Sequence, residues 1–92
     1  MFVRINTFKY ASKMQADATR ALIKYEVIKN LEGIVSIEVI DVTETHLIGI
    51  FRYESEEAAK KGYKVYVENL KKEANLKFES IEGARAFYIE KS

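Results

Sequence analysis

Gly33-Ile34-Val35-Ser36-Ile37-Glu38-Val39-Ile40-Asp41-Val42, then Thr43-Glu44-Thr45, then His46-Leu47-Ile48-Gly49-Ile50-Phe51-Arg52-Tyr53, then Glu54-Ser55-Glu56-Glu57-Ala58-Ala59: this stretch decides the fold. Two β-branched runs joined by a short polar turn read as an antiparallel hairpin. Ser55 is placed to cap a helix whose first turn carries Glu56 and Glu57, where the helix dipole favours negative charge. Gly33 stands where the preceding helix ends in a left-handed residue.

Outward from this core, Phe2 to Tyr10 alternates with period two and reads as a first strand. Ser12 caps a helix on which Met14, Ala18, Ala21, Leu22, Tyr25, Ile28 and Leu31 recur at spacings of three and four, marking its buried stripe. Ile23 and Val27 form a minor second stripe, expected to be exposed. The second helix is expected to bury Ala59, Gly62, Tyr63, Tyr66, Leu70 and Ala74, with Gly62 allowing close approach to the sheet. Its charged face carries Lys60, Lys61, Lys64, Lys71 and Lys72 with Glu56, Glu57 and Glu68, an ordinary solvated surface. Ile81 to Glu90 reads as the fourth strand, with Gly83 marking a bulge or bend. The order is β-α-β-β-α-β. With right-handed crossovers it gives an α+β, ferredoxin-like domain over residues 1–92: a four-stranded antiparallel sheet with both helices on one face.

Ninety-two residues with 15 basic and 14 acidic side chains carry a net charge of +1, without the basic excess of a nucleic-acid footprint. The third strand also lacks the Gly- and Phe-rich signature of an RNA-recognition sheet. No cysteine is present, which excludes disulfides, thiolate metal sites and a cysteine nucleophile. No apolar run approaches the ~20 residues of a membrane helix, and no leader pattern opens the chain, so a cytoplasmic setting is expected. A lone histidine, His46, and no clustered carboxylates leave no metal-site spacing. No phosphate-cradling glycine motif occurs.

The sheet is apolar on both sides, and two helices cover only one. The helix face is expected to hold Val3, Ile5, Val35, Ile37, Val39, Leu47, Phe51 and Tyr53. The open face would then hold Phe2, Phe8, Ile34, Ile40, Ile48 and Ile50, a patch of roughly several hundred Å². A second copy of the same sheet about a twofold axis is the expected cover, making a homodimer. Arg4, Asn6, Ser36, Glu38, His46 and Arg52 share that expected face and could line a small-molecule cavity between the sheets. They could equally be an ion-pair set, Arg4 or Arg52 with Glu38, that fixes the pairing.

Four features resemble the dimeric α/β-barrel superfamily, in particular domains similar to antibiotic biosynthesis monooxygenases. They are the Arg4-Ile5-Asn6 centre of the first strand, and Leu31-Glu32-Gly33 running into Ile34-Val35-Ser36-Ile37-Glu38. The others are Phe51-Arg52-Tyr53-Glu54-Ser55 closing the third strand, and Glu56-Glu57-Ala58-Ala59 opening the second helix. The resemblance implies a cofactor-independent monooxygenase or isomerase acting on a small planar organic molecule. Arg4 and Arg52 would hold an oxygen anion, Asn6 would orient it, Glu38 or His46 would move a proton, and Phe8 and Ile50 would supply apolar contact. Haem-degrading members share an asparagine at the position of Asn6 but add a tryptophan and a second-helix histidine. This chain has no tryptophan, and Tyr53 stands where the monooxygenase pattern has one. No cofactor is therefore expected. The alternative is a non-catalytic ligand-binding or assembly module.

Overall fold

The computed structural model describes residues 1–70, 72, 73 and 75–92, apart from the side chains at 68 and 69. Strand β1 is Phe2–Tyr10. Helix α1 runs from Lys13 to Asn30 and contains a π-turn at Ile23–Val27. Strands β2, Ile34–Asp41, and β3, His46–Tyr53, form the hairpin. Helix α2 is Glu56–Leu70 and strand β4 is Leu76–Ala84. The sheet is antiparallel throughout, in the order β2-β3-β1-β4, with both helices on one side. This is the ferredoxin-like arrangement. Among the described residues no helix is long and apolar enough to cross a membrane.

The expected caps are present. Ser12 Oγ accepts the Gln15 N–H at 3.3 Å, and Ser55 Oγ accepts the Ala58 N–H at 3.1 Å. Gly33 takes φ +73°, and a Cβ there would lie 2.6 Å from Ala58 Cβ, so both the conformation and the space demand glycine.

Helix α1 is turned from its expected orientation. Its buried residues are Ala16, Thr19, Ile23, Val27 and Leu31, while Met14 is 82% exposed and Tyr25 60% exposed. The minor stripe is thus the core stripe. A regular helix turns ~100° per residue, so repeated steps of four drift by ~40° each off one face. The wider π-turn absorbs that drift and keeps Ile23, Val27 and Leu31 aligned on the sheet.

The fourth strand lies earlier than expected. Leu76–Ala84 pairs with β1 residue for residue, from Tyr10↔Leu76 to Phe2↔Ala84. Those nine residues use up β1, so the chain beyond Ala84 has no strand left to pair with. Phe87, Tyr88 and Ile89 sit in this exposed tail. Gly83 pairs regularly with Val3, and the irregularity falls instead at Val35 in β2. Helix α2 ends at Leu70; Ala74, Lys71 and the Glu68 side chain lie outside the described residues.

Two strand faces also differ from expectation. In β1, Arg4, Asn6, Phe8 and Tyr10 are buried against the helices, and Phe2 packs on the same core. Val3 and Ile5 turn to the open face. Three aromatics at ~150–250 Å² each bury more surface than Val3, Ile5 and Thr7, and they set the parity. In β2, the irregularity puts Ile34 opposite Tyr53, on the helix side, and leaves Val35 exposed. The open face therefore carries Val3, Ile5, Ile40, Ile48, Ile50 and Ile81. It remains apolar, with a different membership, and Ile81 is 68% exposed.

Gly62 meets the sheet as expected. A Cβ there would stand 2.7 Å from the Tyr53 hydroxyl and 3.2 Å from Leu31 Cδ2. Gly62→Ala gains ~1 kcal/mol of helix propensity but incurs ~1–3 kcal/mol of overpacking. The expected result is a lower urea midpoint, with a smaller loss in a Tyr53→Phe background. Equal losses in both backgrounds would show that the hydroxyl is not the obstacle.

Candidate functional site

Between the sheet and the two helices lies a cavity of about 200 Å³. Its walls are mainly apolar, with Ile23, Val27 and Leu31 from α1, Phe8 and Phe51 from the sheet, and Val67 from α2. One end is polar. Strand register explains why: on the helix face of β1, Arg4 and Asn6 precede Phe8 and Tyr10, and on β4 their partners are Glu82 and Ser80, then Phe78 and Leu76. Polar pairs therefore meet at one end of the face and apolar pairs at the other. Phe8 and Phe78 pack at 5.2 Å with tilted rings.

Arg4 is 6% exposed and Asn6 5%. One terminal nitrogen of Arg4 is ion-paired to Glu82; the other donates to Ser80 Oγ at 3.1 Å. Ser80 Oγ donates to Asn6 Oδ1 at 2.6 Å. The guanidinium carbon lies 4.3 Å from the centre of the Tyr63 ring, a cation–π contact. Arg4 Nε is buried without a hydrogen-bond partner among the described residues. Tyr53 is 2% exposed and lines the same end, diagonal to Arg4 across the β1–β3 pairing.

Of the expected site residues, the structure brings together Arg4, Asn6 and Phe8 in this cavity. It puts Glu38, Arg52, Ile50 and His46 on the opposite side of the sheet. Glu38 and Arg52 form a partly exposed ion pair at 3.2 Å there, with Ile50 beside them. His46 stands at the far end of β3, opposite Lys9, with Nε2 buried and without a hydrogen-bond partner among the described residues. A single constellation of all seven does not exist, because β1 has the opposite parity to the one expected. Tyr53, Tyr63, Ser80 and Glu82 enter the site instead. The alternation of Phe78, Ser80 and Glu82 was the available signal for the last two. Among the described residues no group of three or more His, Cys, Asp or Glu side chains is placed to hold a metal ion.

Burial pushes the phenols of Tyr53 and Tyr10 above their ordinary value near 10. For Tyr53 the Arg4 charge opposes the shift; for Tyr10 the Thr19 hydrogen bond opposes it and Glu73 adds to it. The native state thus holds these protons more tightly than the unfolded chain. Their contribution to stability is complete below pH ~10 and is lost as the pH rises from there through the raised values. Urea midpoints should hold up to about pH 10 and fall above it, and the double variant Tyr10→Phe, Tyr53→Phe should flatten that fall.

The architecture can now be set beside known structures. A dimeric ferredoxin-like protein from an uncultured marine organism aligns with a TM-score of 0.70 over 99% of this chain and 100% of its own, at 17% identity. The chain shares that protein's ferredoxin-like fold. Within that fold, a monooxygenase from the ActVA-Orf6 gene of Streptomyces coelicolor, in complex with nanaomycin D, aligns at TM-score 0.72 and 19% identity, over 99% of this chain and 92% of its own. SnoaB, a cofactor-independent oxygenase from Streptomyces nogalater, aligns at TM-score 0.72 and 10% identity, covering 98% and 97% of the two chains. No protein-family model matches this sequence, and none of the curated proteins does.

Proposed function

We propose that the cavity inside each protomer binds a small planar organic molecule, and that the chain acts on it as a cofactor-independent oxygenase or isomerase. One observation carries this reading: an apolar chamber closed at one end by a buried, hydrogen-bonded polar cluster. A volume near 200 Å³ falls below the ~300–1,000 Å³ usual for larger ligands, which favours one or two rings. A protein of the same fold described as a cofactor-independent oxygenase adds support.

For a hydroxylated aromatic such as 1-naphthol, the oxygenation balances without a cofactor. One atom of O₂ becomes a new ring carbonyl. The other leaves as water with the phenolic hydrogen and the hydrogen of the ring carbon attacked. The substrate supplies all the electrons. As the phenol loses its proton, Asn6 and Tyr53 donate to the oxygen where charge develops. Glu73, the carboxylate among the described cavity-lining residues, lies toward Tyr10 at the other end of the cavity, so the phenolic proton passes to water. The test is mass spectrometry of product formed under ¹⁸O₂. Incorporation of one labelled atom, with kcat falling about 10²-fold in Asn6→Leu, is the expected result. Saturable binding of 1-naphthol without turnover would favour the second reading, a binding module. That reading draws on the engagement of both terminal nitrogens of Arg4 within the chain.

The open sheet face is the surface for a second copy. Its six aliphatic residues lie on one side of the sheet, and a protein of this fold is described as dimeric. The Arg52–Glu38 pair then serves register rather than chemistry.

A further inference from the structure

The hydrogen bonds at the polar end of the cavity have a direction. A guanidinium can only donate, so Arg4 gives a proton to Ser80 Oγ. Ser80 keeps its own hydroxyl proton for Asn6. The 2.6 Å separation fits O–H···O, and it is short for N–H···O, so the Asn6 atom facing Ser80 is its carbonyl oxygen. The Asn6 NH₂ group is thereby turned away from β4. No hydrogen bond among the described residues takes up its protons, and Asn6 lines the cavity. The Tyr53 hydroxyl lines the same end and makes no hydrogen bond with the described residues. The cavity therefore meets donors at this end. The Arg4 charge is already balanced by Glu82, so no free positive charge remains there to compensate a ligand's negative one.

We propose that Ser80 is a positioning residue that fixes Asn6 with its NH₂ toward the cavity, so that Asn6 and Tyr53 select an uncharged one- or two-ring ligand through a carbonyl oxygen. This rests on the cavity being the ligand site. It goes further by naming the acceptor group the ligand presents and the residue on β4 that enforces it. Ser80 touches no ligand; it acts through Asn6, and threonine, which keeps the hydroxyl, should replace it.

The experiment titrates the protein with 1-tetralone labelled with ¹³C at its carbonyl. The methyl signals of Ile23, Val27 and Leu31 report whether it enters the cavity. Entry is expected, with the bound carbonyl resonance held at or downfield of its position in water. In Ser80→Ala the resonance should move upfield toward its hydrocarbon-solvent position, and affinity should fall about five- to tenfold, the loss of one hydrogen bond. Ser80→Thr should restore both. 1-Naphthoate, similar in size but charged, should bind more weakly than the ketone. Cavity entry with an unshifted carbonyl in Ser80→Ala, or tighter binding of naphthoate, overturns this inference and leaves the cavity reading standing. No response of the cavity methyls to either compound overturns both. If Ser80→Ala does not fold, Asn6→Leu, close in volume, provides the same carbonyl readout.

Discussion

Glu82→Ala should destabilise the protein by about 2–4 kcal/mol. Arg4 is buried under Tyr63 and ion-paired to Glu82. Without that carboxylate a guanidinium stays in a nearly closed space with Ser80 as its remaining hydrogen-bond partner among the described residues. The figure sits toward the low side of buried-pair losses because the Glu82 side chain is 34% exposed and water can reach Arg4 in its place. Urea denaturation measures the change, and Glu82→Gln, which keeps an acceptor oxygen, should recover part of it. The paired change Arg4→Met with Glu82→Leu should be close to neutral for stability. A loss below ~0.5 kcal/mol in Glu82→Ala, the range of an ordinary surface pair, would show that the polar end is open to solvent.

The second large effect concerns the other side of the sheet. Ile50→Glu places a carboxylate opposite Ile5 and beside Glu38, in the middle of the open face. In a face-to-face dimer that charge is buried without a partner and raises the dissociation constant about a thousandfold or more. Sedimentation equilibrium should find the unaltered protein at twice its 10.6 kDa chain mass and the variant at the single-chain mass. The circular dichroism of the variant should be unchanged, since Ile50 lies outside the helix-covered core. Dimers of undiminished strength in the variant would move the interface elsewhere. The exposed helix stripe of Met14, Ala18 and Tyr25 would be the next surface to test.

The architecture was legible because its signals are local. Ser12, Gly33 and Ser55 mark element ends through their own backbone chemistry, and the polar turn at Thr43–Thr45 forces a hairpin. Which way each element faces was less legible, because that depends on competition between two apolar sets. In β1, Val3 and Ile5 compete with Phe2, Phe8 and Tyr10, and the aromatics prevail through area. In α1, the longer stripe through Met14 and Tyr25 yields to Ile23 and Val27, because a π-turn changes the period partway along. The same parity error split the expected site. Arg4 and Asn6 were expected on the open face between two sheets; the observed β1 parity turns them to the helix side, where Ser80 and Glu82 of β4 come into register beside them. β4 was itself misplaced because Phe87, Tyr88 and Ile89 have strand composition but no strand left to pair with.

The central claim is that ligand binds between sheet and helices, within one protomer. Isoleucine-methyl NMR during addition of 1-naphthol tests it most directly, because the isoleucines sort cleanly by side. Ile23 lines the cavity, whereas Ile5, Ile48, Ile50 and Ile81 lie on the open face. The account expects a saturable shift of Ile23 with the open-face methyls nearly still. Shifts confined to Ile5, Ile48 and Ile50 would contradict it and return the site to the space between two sheets.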